Sequence, residues 1–513
     1  MSQINNNNKR IVKNTILLYF RMFLTIGIQL YMVPVVLQLL GTNDYGLYSV
    51  IGGITALFAF VGTSMASGAQ RFFAYSIAKE DKGKLTALFN TTLTIYISLG
   101  IVTFILFEIC GIWFIENKLQ IPDGRLFAAH WVFQFSIVAF LITLIAIPYN
   151  AVVIAHERMG VYAYVSIGTS LLKLLSVLLL QCSNTDYLIA YAFFMMFVQF
   201  VERLFYQLYC RKLFVECRNW HWSFDRVIGL KLLTYSGFNM IGAFAMILRR
   251  QGLNIVMNLF FGTLLNAAHS IAMQVNSVIE HFISNLYMAS RPQITKYYAT
   301  NQIESMWTLV FRSSLMAYFL VMILGVIAVI EMPTVLTLWL HNVPQYSVNI
   351  TRLFILCLLI ETTTNQLIAV FPAQNRIKYY QIFSSAILLL NVPMAYFVLI
   401  GNSGNALIPY YIQLVFSCIY SLSLMVVSVK VSKLNIRNFI VSILCKEIIV
   451  TIIVFGVTYM VVKHLDASFL RICITTILTC IVAFISIWFI AIGKIERTSI
   501  KTIIYNKTKL LRI

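Results

Sequence analysis

Long apolar runs separated by short polar or charged stretches repeat along the whole chain. A helix needs about 20 mostly apolar residues to cross a bilayer core of about 30 Å. Fourteen segments have that character: 14–37, 46–68, 87–111, 127–150, 161–182, 187–210, 232–259, 264–290, 308–330, 350–371, 379–400, 405–429, 438–462 and 470–493. The most polar are 232–259 and 264–290, divided only by a short link containing Gly262 and Thr263. The pattern predicts an all-α polytopic membrane protein of about 14 transmembrane helices. The polar opening, MSQINNNNKR, precedes an apolar run too long for the core of a signal peptide. The first helix is therefore expected to stay in place as an anchor.

Two halves of the chain repeat. Leu40-Gly41-Thr42 matches Phe261-Gly262-Thr263 at an offset of 221, and Arg71 falls near register with Arg291. Further on, Ala155-His156-Glu157-Arg158 and Tyr162 match Ala373-Gln374-Asn375-Arg376 and Tyr380 at an offset of 218, which sets Lys173 opposite Asn391. Six spans per repeat is an even number, so both units enter the membrane from the same side. They are expected to be parallel repeats about an axis along the membrane normal, with a substrate site at their interface. The expected units are 1–215 and 216–430, each a six-helix bundle, followed by 431–513 with two further helices and a basic tail.

Composition sharpens this picture. Of the 513 residues 60% are hydrophobic and only 11% charged, against roughly 25% charged in soluble domains. A soluble enzyme and a disordered chain are both excluded. The net charge is +20, and its distribution explains it. With the N-terminus inside, inside segments hold 28 of the 38 lysines and arginines and outside segments hold 5. Cytoplasmic loops are enriched in just this way, so both termini are expected in the cytoplasm and no nucleic acid partner is needed. The nine cysteines form no C-x-x-C pair, which leaves metal and redox roles without a basis.

Polar residues within the spans carry the functional reading, because a charge at bilayer depth costs about 2.5–3.5 kcal/mol on insertion scales and usually faces a bundle interior or wet cavity. Asn14, Arg21 and Thr25 share one helical face, as do Ser166, Thr169, Ser170, Lys173 and Ser176. The seventh span carries Asn239, Arg250 and Asn254 on one face with Arg249 beside it; the eighth carries His269, Asn276 and Glu280. Glu361 and Asn365 lie one turn apart in the tenth. The candidates for lining a substrate path are Arg21, Lys173, Arg249, Arg250, Asn254 and Asn276. Those for ion coupling are Glu280, Glu361 and His269. Plainer roles compete: Arg21 is near a span end and within reach of the interface by snorkelling, Glu280 is a candidate partner for an arginine, and His269 for helix packing.

Enzymatic motifs are missing from the sequence. The longest loop, about 211–231, has no Gly-rich phosphate loop, no H-E-x-x-H and no G-x-S-x-G. The spans arranged as six, six and two, the G-T-N-D-Y-G-L-Y turn at 41–48, the small-residue stretch ending in Arg71 and A-H-E-R at 155–158 together resemble the polysaccharide transporter family. That family belongs to the multidrug/oligosaccharidyl-lipid/polysaccharide exporter superfamily. The resemblance covers essentially the whole chain. It implies a V-shaped pair of bundles working by alternating access, a flippase and not an enzyme, without a cofactor. Its cargo would be an undecaprenyl-diphosphate-linked oligosaccharide repeat unit crossing the bacterial inner membrane for O-antigen, capsule or exopolysaccharide. A polysaccharide polymerase and chain-length protein are the implied partners, beside membrane lipid. An H⁺ or Na⁺ gradient is the implied drive, although no Na⁺ site follows from spacing.

Relatives with a cationic lumen suggest Arg21, Arg249, Arg250 and Lys173 as partners of the diphosphate or acidic sugars, and arginines suit phosphate oxygens by charge and hydrogen bonding. Two other classes stay open. A drug/cation antiporter of the same superfamily would favour an acidic cavity and twelve spans. A membrane glycosyltransferase or polymerase would need an essential external carboxylate, for which Asp44, Asp123 and Asp186 are the candidates.

Overall fold

A computed structural model describes residues 2–78, 82–156, 158–181, 185–340, 342–374, 376–401, 404–493 and 497. The side chains of Asn14, Arg71 and Asn239, and residues Glu157 and Asn375, lie outside the described set. The chain is an all-α membrane protein, and the described part of each of the fourteen expected segments lies mostly on helix. Eleven helices among the described residues are long and apolar enough to cross a membrane. The chain divides into two compact units, 1–271 with 388–409, and 272–387 with 410–513.

The first unit holds α1 (Ser2–Ala56), α2 (Ala59–Ala78), α3 (Lys82–Leu106), α4 (Ile112–Asn117), α5 (Leu126–Ala155), α6 (Met159–Leu180), α7 (Tyr187–Leu213) and α8 (Arg226–Phe261). It also takes the start of α9 (Thr263–Ala299) and the stretch 388–409. At 1.5 Å per residue, the 55 residues of α1 would run roughly 80 Å if straight, far beyond a bilayer core. Gly41 divides it, with φ 75° and ψ 170°, a conformation essentially confined to glycine. The expected second span also breaks at Leu57–Phe58, between α1 and α2. Gly262 separates α8 from α9 with φ 74° and ψ −170°, the same turn as Gly41 and 221 residues later.

The second repeat anchor has the same physical content. The N–H groups of His156 and Arg158 donate to Val152 and Val153, and those of Gln374 and Arg376 donate to Val370 and Phe371. Each pair is 218 residues apart. Side chains extend the match: His156 stacks on Phe214 at 4.1 Å, while Ser432, 218 residues beyond Phe214, donates to the Gln374 side-chain oxygen Oε1 at 2.7 Å.

One apolar core of this unit joins α1, α5, α6 and α7 through residues such as Val36, Leu47, Val132, Phe133, Val177 and Leu188. A second joins α2, α3, α5 and α7 around Phe73, Phe89, Tyr149 and Tyr206. Asp186 caps α7 by accepting from the Leu188 and Ile189 N–H groups, and Asp225 caps α8 in the same manner. Such caps contribute about 1 kcal/mol each.

The second unit holds the rest of α9, α10 (Ile303–Trp339), α11 (Ser347–Asn365), α12 (Val370–Ala373), the start of α13 (Ile377–Gly401) up to Ile387, and most of α14 (Ile408–Ser432). It ends with α15 (Ile436–Phe439), α16 (Cys445–Val462) and α17 (Phe469–Ser486). A 3₁₀ turn, Gln366–Ala369, follows α11, and a π turn, Ile440–Leu444, precedes α16. Its apolar core gathers Met306, Val310, Leu367, Met425, Phe439 and Ile443.

Candidate functional site

The first unit contains two polar clusters inside its helices. The first joins α1, α8 and α9. Arg249 is 7% exposed and Arg250 half-buried. His269, buried on α9, hydrogen-bonds to the Arg250 backbone carbonyl. One turn beyond Arg250, Asn254 donates to the Ser49 carbonyl and hydroxyl at 3.2 Å each. Its own oxygen accepts from Asn266 at 2.7 Å. Asn258 donates to Asn266 at 3.0 Å and to the Gln120 carbonyl at 3.2 Å, and accepts the Gln120 N–H at 2.9 Å. Ser49 bonds Ser270, again 221 residues on. Asn254 therefore lies in a buried amide network that ties α1 to α8 and α9, and spends its polar atoms on the protein.

The second cluster joins α1, α6 and α7. The Arg21 guanidinium lies over the Tyr162 ring at 4.9 Å, and its Nε is buried without a hydrogen-bond partner. Arg21, Tyr162 and the Glu202 carboxylate all act electrostatically on Tyr206. Glu202 in turn feels Lys173, which is half-buried on α6. The structure thus brings Arg21 and Lys173 into one constellation with Tyr162, Tyr206 and Glu202. The three added residues were hidden because their spans read as apolar faces or as helix ends. A guanidinium over an aromatic face with an unused N–H is equipped to bind an anion.

In the second unit the helices hold several carboxylates, beside cations such as Arg352, Lys446 and Arg471. The Asn276 amide donates to Glu280 at 2.9 Å. Glu361 accepts from Ser417 at 2.6 Å. Glu331 is fully buried and accepts from Arg471 at 3.0 Å and from Thr475 at 2.8 Å. Glu447, which sequence reasoning missed, is 1% exposed and accepts from Thr363 at 2.8 Å. Its only signal in the sequence is a Lys446-Glu447 pair inside the apolar run 438–462.

Two ionic contacts sit at helix ends. Arg125, before α5, donates to both Asp44 on α1 and Asp186 at the cap of α7. Partial burial works to raise the Asp186 carboxyl, but the Arg125 guanidinium and the backbone N–H groups of Ile189 and Leu188 hold it below its ordinary value of 3.8. Burial likewise works against the Glu216 carboxylate, yet its 2.8 Å bond from His156 holds it below the ordinary 4.5. Asp44 and Asp186, two of the three candidates for the external carboxylate a polymerase would need, are thus both engaged by one arginine. Among the described residues no cluster of three or more His, Cys, Asp or Glu side chains suits a metal ion.

No protein-family model matches the sequence, and no curated protein matches it. Solved structures do. The lipid II flippase MurJ, in an inward closed conformation, superposes with a TM-score of 0.65 over 93% of this chain and 98% of its own, at 12% identity. The chain shares the fold of these solved structures, which include transporters of the MOP superfamily. A multidrug resistance MATE family transporter of that superfamily, inward-facing, gives 0.64 over 79% of this chain and 95% of its own, at 16% identity. A MOP superfamily transporter from Pyrococcus furiosus, described as having a binding pocket of reverse polarity, gives 0.54 over 82% of this chain and 96% of its own, at 15% identity.

Proposed function

We propose that this protein is a flippase for a lipid-linked oligosaccharide, moving an undecaprenyl-diphosphate-linked repeat unit from the inner to the outer leaflet of the bacterial cytoplasmic membrane. The observation that carries this reading is the set of cations inside the helices of the first unit: Arg21, Lys173, Arg249 and Arg250. A diphosphate headgroup offers these side chains the charge-assisted bonds that make their burial tolerable. Coverage supports the same reading, since likeness to the lipid II flippase extends over 93% of the chain and likeness to the inward-facing multidrug transporter over 79%. In this reading both termini are cytoplasmic, the product passes to a polymerase and its chain-length partner, and an H⁺ or Na⁺ gradient drives the cycle. A drug antiporter is the second reading, supported by the shared fold of the MATE transporters.

Proteoliposomes separate the two. The purified protein is expected to move an undecaprenyl-diphosphate oligosaccharide between leaflets and to leave a fluorescent organic cation untouched. Arg250→Ala is expected to slow flipping about tenfold or more, because one bond to a charged group contributes about 1.5–3 kcal/mol. Unchanged flipping by this variant would remove Arg250 from the mechanism. Export of the organic cation without flipping would favour the antiporter.

A further inference from the structure

Glu447 is unlike the other carboxylates inside the second unit. Glu331 has a guanidinium, Glu361 a serine and Glu280 an amide. Glu447 has one neutral donor, the Thr363 hydroxyl, on Oε2. Its Oε1 is buried with no hydrogen-bond partner. Among the described residues no lysine, arginine or histidine pairs with it.

The surroundings supply polar groups but no positive charge in contact. On α9, Tyr287 lies within electrostatic reach of Glu447, but its hydroxyl donates to the Thr362 carbonyl at 3.3 Å. Arg291 and Tyr420 also act electrostatically on Tyr287. On α10, Tyr318 is also in reach, with its hydroxyl bonded to Thr451 at 2.9 Å. On α11, Glu361 is taken by Ser417. The neighbouring Lys446 turns away and donates to the Ala491 carbonyl at 2.8 Å. On α17, Arg471 is committed to Glu331.

An ionised carboxylate buried this way carries a desolvation cost of several kcal/mol with no counter-charge to offset it. Both helices that hold the group also depart from α geometry beside it. The π turn 440–444 ends three residues before Glu447, and the 3₁₀ turn 366–369 begins three residues after Thr363. π turns inside helices recur at functional sites.

We propose that Glu447 is a proton-binding site, neutral when occluded as in this structure and ionised when the transport cycle opens it to water. Occlusion of the neutral form and exposure of the charged form tie one proton to one conformational change by linkage. The proton site stands on its own geometry; its part in transport rests on the transporter reading above.

Two measurements test the halves separately. In the infrared pH-difference spectrum of the full-length detergent-purified protein, Glu447→Gln is expected to delete one carboxylic-acid carbonyl band. Glu280→Gln and Glu361→Gln are expected to leave that band in place. The amide keeps the shape and an acceptor for Thr363, so the variant is expected to fold, and an unchanged melting temperature checks this. Retention of every band in folded Glu447→Gln overturns the proposal. In proteoliposomes, an imposed pH gradient is expected to accelerate wild-type transport and to have no effect on Glu447→Gln. Gradient response in that variant overturns the coupling role, whereas loss of the band with no lipid flipping by any protein would count against the cargo alone.

Discussion

Asn254, Asn258 and Asn266 in the first unit satisfy one another inside a helix seam, while Glu331, Glu361 and Glu447 in the second each need a donor from another helix. Both units carry both signs of charge. Inside its helices the first unit places Arg21, Lys173, Arg249 and Arg250 with Glu202, and the second places Glu280, Glu331, Glu361 and Glu447 with Lys446 and Arg471. A neutral amide network holds a seam at little electrostatic cost. A carboxylate seam stores charge that protons or a single arginine must neutralise.

The hardest test of that contrast is the ion pair of the second unit. Arg471→Ala would strand the fully buried Glu331 carboxylate with Thr475 as its remaining side-chain donor. Breaking one side of a buried pair costs about 3–5 kcal/mol. The melting temperature of the purified protein is expected to fall sharply, and Glu331→Gln in the same chain is expected to restore much of it. An unchanged melting temperature in Arg471→Ala would mean the pair contributes little and that the carboxylate seam is not a stability element.

The first unit's seam should be easier to disturb by shape than by charge. A Cβ on Gly46 would lie 2.8 Å from the Thr263 carbonyl carbon, and closer still to its oxygen. Backbone cannot swing aside as a side chain can, so Gly46→Ala is expected to cost about 1–3 kcal/mol. Gly52→Ala, where no atom lies within 4 Å of the new carbon, is the control and should be nearly silent. Equal melting temperatures for the two would show that the α1–α9 approach is looser than it looks.

These positions also show what the sequence makes readable. Gly41 and Gly262 are recognisable as equivalent because a turn at positive φ demands glycine, and the structure gives them one conformation. The 218-residue offset is readable because the same backbone hydrogen bonds recur around His156 and Gln374. Helical periodicity correctly sets Arg250 and Asn254 on one face, but it does not say what covers that face. Asn254 is closed off by Ser49 and Asn266, residues far away in sequence or on the next helix. Glu447 escaped because a carboxylate early in an apolar run reads as an interfacial residue, and only tertiary packing of α11 against α16 reveals its burial. Long-range partners decide such cases, and spacing does not encode them.

The smallest expected effect belongs to the ion pairs at helix ends in the first unit. Asp186 and Glu216 both titrate below their ordinary values in the folded protein. A depressed carboxyl adds stability that is present above its unfolded value and is lost as pH falls through its folded value. The loss should therefore begin near 4.5 for Glu216 and near 3.8 for Asp186, and deepen below each. Both Arg125 and Asp186 keep partial access to water, so screening trims the effect well below that of the buried Arg471–Glu331 pair. Asp186→Asn, which retains a cap for α7, is expected to flatten the acid limb of melting temperature against pH while changing the neutral plateau modestly. If the acid limb is as steep in the variant as in the parent, Arg125 is held by Asp44 alone. The helix-end charges of this unit would then be passive, and its stability would rest on the amide seam.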